Sequence, residues 1–400
     1  VKILVAHNAY HYRGGEDTVV DAEVSLLRRY GHEVLLYRRD NADIPRMPRW
    51  RAAVDTFWSH RTVGEIDNLQ CGFRPELIHA HNTFPLISPS LYSIAERLRV
   101  PVVQTLHNFR LVCPQAMLMR SGRSCTECVG HWPWRGVLHR CYRDSFAQSA
   151  VTAAMLSAHR LAGTWQHGVA RYLVLNQTCR EIFAEGGLPV ERMRIKPNFV
   201  DSRGTPDWDD RQGALFIGRL SPEKGLETLA RAMQRLPGVR IDVYGKGPLQ
   251  TVVEQSDGLD YRGFENGESL QRRVAKAVFL VMPSTGIESF GLAAIEAFAS
   301  GTPVIASRQG GLREIVEHRQ NGLLVAPGDA EDLAWAINYA VTHPDDMRRM
   351  GMNAYQSYLA HYTPERNYAT LMRIYDEALR SLPPSLSVDL IDADTRASRE

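Results

Sequence analysis

Lysine is scarce in this chain, with five residues against 42 arginines among 400. Chemistry that needs a lysine Schiff base therefore has few candidates, and two of the five, Lys224 and Lys246, stand in glycine-containing turns. No apolar run approaches the ~18–20 residues of a membrane-spanning helix, so no spanning helix is expected. The opening Val-Lys-Ile-Leu-Val-Ala is too short for a signal peptide and reads as a first buried strand, which favours a cytoplasmic chain. There is no short internal repeat, which argues against a solenoid or a propeller. Nothing resembles a nucleic-acid-binding module, and the net charge is only +2. That small total hides a basic first half and an acidic second half. The basic half suits an anionic acceptor, or contact with an anionic membrane at its inner face; chance drift of surface charge is the other reading. Hydrophobic residues at 44% and charged residues at 23% describe an ordinary globular chain, whose length suggests two or three domains.

What is present is alternation. Strands are expected at Lys2–Ala6, His32–Tyr37, Leu77–Ala80, Val102–Leu106 and Tyr172–Leu175. Helices are expected between them at Asp17–Tyr30, Pro89–Leu98, Ser145–Ala162 and Gln177–Glu185. The second half repeats the theme, with strands at Ala214–Ile217, Arg240–Tyr244, Phe279–Met282, Val304–Ala306 and Leu323–Val325. The fold class is α/β, with parallel sheets covered by helices on both faces.

One stretch carries the most chemistry: Ser284-Thr-Gly-Ile-Glu-Ser-Phe-Gly-Leu-Ala-Ala-Ile-Glu296, then Ala-Phe-Ala-Ser-Gly-Thr-Pro-Val-Ile-Ala. An apolar strand, a Pro-Ser loop and a helix from Phe290 follow one another. Glu288 then lies outside the carboxyl end of a strand, where open α/β sheets bind ligands. Glu296 lies about two turns into the helix. The backbone N–H groups of Phe290, Gly291 and Leu292 at the helix start form a seat for a phosphate. An acid at each end of that seat suggests a sugar on one side and a ribose on the other.

This stretch resembles the Glu-x7-Glu signature of retaining glycosyltransferases of family 4. The resemblance covers roughly residues 1–380. It implies the GT-B architecture, two Rossmann-like α/β/α domains facing a central cleft with a C-terminal helix crossing back to the first. The expected domains are 1–197 for the acceptor, with a cysteine-rich insertion at about 113–141, and 198–362 for the nucleotide sugar. A crossing helix at 363–380 and a mobile tail at 381–400 follow.

The implied activity is transfer of a sugar from a nucleotide-diphosphate sugar to an acceptor hydroxyl, forming an α-glycosidic bond. UDP is favoured over GDP as the carrier, and no catalytic metal is needed. The acceptor is expected to be a growing polysaccharide, a lipid-linked or envelope glycan, or a small-molecule metabolite. The oligomeric state is left open. Gly218-Arg-Leu-Ser-Pro-Glu-Lys-Gly225 matches the family's Gly-Arg-x5-Lys-Gly block, and cations at Arg219 and Lys224 can grip both phosphates of the leaving diphosphate. Glu288 would bond donor-sugar hydroxyls, with Ser289, Phe290, Gly291 and Leu292 beside it, and Glu296 would hold the ribose. Gly263 and Phe264 resemble the loop that receives the base. In the first half, Tyr12-Arg-Gly-Gly15 follows the first strand, and Gly14 and Gly15 let backbone approach the donor. His107 matches the family histidine near the donor sugar and acceptor hydroxyl, and His81 closes a neighbouring strand.

The insertion holds Cys113, Cys125, Cys128 and Cys141. Four thiols around a CxxC suit a structural zinc; an iron–sulfur site and unmetallated or redox cysteines are the alternatives. Cys71 and Cys179 read as plain core residues. Competing functional readings are another GT-B enzyme such as a phosphorylase or an epimerase, a non-catalytic nucleotide-sugar scaffold, and a zinc adaptor.

Overall fold

The computed structural model describes residues 1–11, 14–201 and 204–381. Expectations that rest on Tyr12 and Arg13, and on the tail beyond residue 381, lie outside the described residues.

Two six-stranded sheets organise the chain. The first is built from β1 (Lys2–Ala9), β2 (Glu33–Asp40), β3 (Leu77–Ala80) and β4 (Val102–Leu106). A two-stranded antiparallel hairpin, β5 (Met119–Arg120) and β6 (Arg123–Ser124), stands apart before β7 (Arg171–Val174) and β8 (Met193–Ile195) complete that sheet. The order is β2-β1-β3-β4-β7-β8. The second sheet holds β9 (Ala214–Ile217), β10 (Ile241–Tyr244), β11 (Leu259–Gly263), β12 (Phe279–Met282), β13 (Val304–Ser307) and β14 (Gly322–Val325). Its order is β11-β10-β9-β12-β13-β14, the doubly wound arrangement of dinucleotide-binding folds. Every pairing within the two large sheets is parallel.

The sequence explains the layering. Central strands such as β3, β4, β12 and β13 are buried along their whole length, because parallel strands are covered on both faces and read as unbroken apolar runs. Each sheet has apolar clusters on its two sides. The last helix, Pro364–Arg380, buries Leu371, Ile374, Tyr375 and Ala378, a helical stripe at positions i, i+3, i+4 and i+7. That stripe packs against Ile3, Val5, Leu77, Val103 and Leu173 of the first sheet. Glu377 on the same helix accepts from Arg171 at 3.1 Å and Arg194 at 2.8 Å. The C-terminal helix thus crosses back to the first domain.

Several elements carry no clear signal in the sequence. Helices Arg49–Phe57 and His60–Asn68 bury few side chains and so show no wide apolar face. The hairpin is too short to show a period.

Candidate active site

In the second sheet the strand order reverses between β9 and β12, and ligands of open α/β sheets bind outside the strand ends at such a point. The loops leaving these strands carry the two expected motifs. Gly225 has φ +74°, and its missing side chain lets the Pro222–Lys224 turn lie directly on the Pro283 backbone, so only glycine fits there. The amides of Thr285 and Gly286 donate to the Glu223 carbonyl at 2.9 and 3.0 Å. These contacts bring Lys224 Nζ to 2.6 Å from Glu288 Oε1, which also accepts from Ser284 Oγ at 2.7 Å. The pair is part-buried, with Lys224 24% and Glu288 15% exposed. Burial pushes the Glu288 carboxyl up, but the Lys224 ammonium, with the Lys224 and Ser284 hydrogen bonds, more than reverses this and holds it below the ordinary carboxylate range.

The other donor-site residues fall around this pair. Arg219 is 61% exposed and pairs with Glu223 at 2.9 Å, so it is free to swing toward an anion. Ser289 precedes Phe290, which is buried in the second domain's core and lies outside the helix. The helix begins at Leu292, two residues past Phe290, because Gly291 adopts φ +101° as its N-cap. Glu296 is half-buried and has no side-chain partner among the described residues; burial raises its carboxyl to about 7. Gly218 ends β9, and its amide donates to the Tyr244 carbonyl. Phe264, just past Gly263, is exposed, with Lys246 Nζ 5.3 Å from its ring centre.

The first domain meets this loop directly. A side chain on Gly15 would begin 3.8 Å from Leu292, so the Gly14–Gly15 turn faces the helix start. Asn176 Nδ2 donates to the Ser289 carbonyl at 2.6 Å, and Cys179 Sγ reaches the same oxygen at 3.2 Å. Ile287 packs on the first domain's core. Cys179, expected to be plain packing, therefore also anchors the loop that carries Glu288. Cys71 is exposed, contrary to expectation, because it ends a surface turn.

His107, just past β4, is buried, and its Nε2 lies 2.8 Å from His81 Nδ1. Behind His81 lies a cluster that sequence reasoning missed. Glu23 Oε2 accepts from Lys196 Nζ at 2.7 Å, and both side chains are 1% exposed. His79 Nδ1 lies 2.9 Å from Glu23 Oε1 and 2.7 Å from the Tyr375 hydroxyl. Lys196 Nζ also reaches Asn367 at 3.3 Å, so the cluster ties the segment after β8, the first sheet and the crossing helix together. Glu23 lies on the buried stripe of helix Gly15–Arg29 and Lys196, one of five lysines, just past β8, but neither position marks the other as its partner. Glu23, His79 and His81 present ligand atoms within 4.8 Å of one another. The Lys196 ammonium already supplies the positive charge there.

Cys113, Cys125, Cys128 and Cys141 are near enough to influence one another's ionisation. Yet no three of them offer ligand atoms within 4.8 Å of one another, whereas zinc thiolates at about 2.3 Å from the ion must converge. Burial, with Cys113 nearby, raises the Cys128 thiol to about 11. The insertion reaches across to the donor loop. Ser124 Oγ donates to the Thr285 carbonyl at 3.3 Å. A cavity of about 540 Å³ lies between hairpin residues Arg123 and Ser124 and donor-loop residues Pro222, Gly225 and Thr285.

Comparison with known proteins agrees with this geometry. Residues 202–357 match the family described as glycosyl transferases group 1. The sulfoquinovosyl transferase SQD2 of Arabidopsis thaliana is 29% identical over 287 residues, covering 68% of this chain and 50% of that protein. The chain spans about half the length of the curated relatives it matches. Among solved structures, the sucrose-phosphate synthase of Thermosynechococcus elongatus superposes with a TM-score of 0.70 at 21% identity, covering 94% of this chain and 98% of that one. Anabaena Alr3699/HepE, solved in complex with UDP, gives 0.65 at 18% identity, covering 94% and 100%. The chain has the GT-B fold, and its second domain is similar to the glycosyl transferases group 1 family over residues 202–357.

Proposed function

We propose that this chain is a retaining glycosyltransferase that moves a sugar from a nucleotide-diphosphate sugar to an acceptor hydroxyl, forming an α-linkage. The observation that carries the reading is the Lys224–Glu288 pair at the switch point of the second sheet. An ammonium has three protons. One goes to Glu288, which leaves two for phosphate oxygens, so Lys224 can hold carboxylate and diphosphate at once. As the C1–O bond breaks, negative charge grows on the diphosphate, and Lys224 with Arg219 stabilises it. Glu288, kept ionised by Lys224, faces the sugar and supports the positive charge that develops at its anomeric carbon. Glu296, without a protein partner, is placed to accept both ribose hydroxyls. The charge needed at the leaving group is present in side chains, so this reading requires no divalent ion. UDP is the favoured carrier, supported by the UDP complex of a protein with the same fold.

The acceptor enters from the first domain, beside His107. Trp132, Trp134, Leu138 and Leu161 are exposed there, with Arg160 lying 5.9 Å from the Trp132 ring and Arg135 5.8 Å from the Trp134 ring. This patch belongs to the first domain, and aromatic and arginine side chains in company suit the headgroup region of an anionic membrane, which favours a membrane-associated acceptor such as a lipid-linked glycan. Among the described residues no helix is long and apolar enough to cross a membrane, so contact would be peripheral. Co-sedimentation with vesicles containing phosphatidylglycerol, lost in Trp132→Ser/Trp134→Ser, is the expected result; no sedimentation would remove the membrane from the reading.

The deciding experiment is calorimetric titration with UDP, GDP, ADP and NAD, in EDTA, on the wild-type chain and on Lys224→Ala. Heat for one diphosphate that vanishes in the variant is expected. A folded protein that takes up none of them would move the reading to a non-catalytic scaffold.

A further inference from the structure

We infer that Glu23, acting through His81, fixes the tautomer of His107, so that its ring presents a bare Nδ1 to the cleft and accepts a hydrogen bond from a substrate hydroxyl. This rests on the glycosyl-transfer reading only for the identity of the hydroxyl.

Glu23 Oε2 is taken by Lys196, at 2.7 Å. Glu23 Oε1 and His81 Nε2 are both sealed from solvent, and neither has a well-formed hydrogen bond; they lie 3.4 Å apart. Buried polar atoms without partners are uncommon and need a reason. Two lone pairs facing each other in a dry site would repel, whereas a proton on His81 Nε2 turns the contact into attraction. The carboxylate is ionised: burial pushes Glu23 up, but Lys196 and His79 hold it well below its usual range. His79 also faces Oε1, and a carboxylate oxygen with two lone pairs can serve both rings.

His81 is neutral, since burial and the neighbouring His79 bring it down to about 3. A neutral imidazole has one proton. With that proton on Nε2, His81 Nδ1 is bare and must accept, and the atom facing it at 2.8 Å is His107 Nε2. His107 therefore donates from Nε2. Burial also keeps it neutral, so its Nδ1 is bare. That nitrogen has no partner among the described residues and is not among the sealed atoms. It is the atom of the chain's polar relay that is left for a ligand.

This divides the labour in the cleft. With no N–H toward the cleft, His107 cannot stabilise the departing diphosphate, which is left to Lys224 and Arg219. It can orient a hydroxyl or receive its proton. Glu23 and His81 are positioning residues that touch no substrate.

The test is long-range ¹H–¹⁵N correlation on the full chain labelled at histidine, with His107 and His81 assigned from His107→Gln and His81→Gln. Protonated Nε2 and bare Nδ1 are expected at both rings. A proton on His107 Nδ1, or averaging between the two tautomers, would overturn the inference. This measurement needs no turnover, so it stands even if no donor is ever transferred. The second arm is Glu23→Gln/Lys196→Gln, which keeps the cluster neutral. It should let the His107 tautomers mix and lower kcat by about 100-fold, with donor KM changed less than about twofold. Unchanged tautomers and kcat in the folded double variant would also overturn it. Should that variant fail to fold, the wild-type spectrum decides.

Discussion

The two domains share a doubly wound sheet but treat their charges in opposite ways. In the second, Lys224 and Glu288 lie at strand ends and remain part-exposed. In the first, Glu23 and Lys196 form the same kind of pair sealed beneath the sheet's edge. A part-exposed pair keeps free protons and can share its charge with an arriving anion. A sealed pair has no room to do so. Its desolvation is offset only by complete bonding, and what it can give is orientation. The difference teaches that an ion pair's accessibility, more than its presence, tells whether it handles ligand or holds structure.

Removing one charge at a time from each pair should separate the two domains. Lys224→Ala and Glu288→Ala should each lower kcat by about 10³-fold or more. Their melting temperatures should stay close to wild type, because the pair is part-exposed and surface-like pairs contribute little. Near-native turnover in either variant would undo the site assignment. Lys196→Met should do the reverse. It leaves a buried carboxylate without its cation and should cost about 3–5 kcal/mol of stability, read by chemical denaturation. A loss under about 1 kcal/mol, the range of exposed pairs, would erase the distinction between the domains.

A smaller effect sharpens the second domain's side. The Glu296 carboxyl, raised to about 7 by burial, is mostly protonated at pH 6 and ionised at pH 8. Only the ionised form accepts from both ribose hydroxyls. Affinity for a nucleotide sugar should therefore rise with pH through 7, by up to about tenfold per unit of pH below the pKa. Glu296→Gln should flatten the profile. A flat wild-type profile would mean that Glu296 does not meet the ribose.

Much of the architecture was legible because parallel strands buried on both faces show as short apolar runs between helical segments. Strands β3, β4, β9 and β12 have the ends that the sequence suggests. The helix after Glu288 starts at Leu292 because Gly291 turns the chain in the left-handed conformation just before it, although Phe290 continues the apolar pattern. The four cysteines are legible as a set because spacing reports neighbours along the chain; whether their thiols converge on an ion is a matter of tertiary packing. Glu23 was hidden for the opposite reason. Its partner is 173 residues away, and a lone acid on an apolar helix face has no local pattern to announce it.

By itself, the sequence determined the alternating elements, the two-sheet class and the glycine turns that local backbone conformation demands. These follow from propensity and periodicity, which act over a few residues. Tertiary structure alone decided which charges meet. It set Lys224 against Glu288 from 64 positions away, anchored Ser289 on Asn176 and Cys179, and lined up Lys196, Glu23, His81 and His107 behind the cleft. Such pairings form only when sheets and helices pack, because burial makes an unpaired charge too costly to leave and thereby selects its partner from anywhere in the chain.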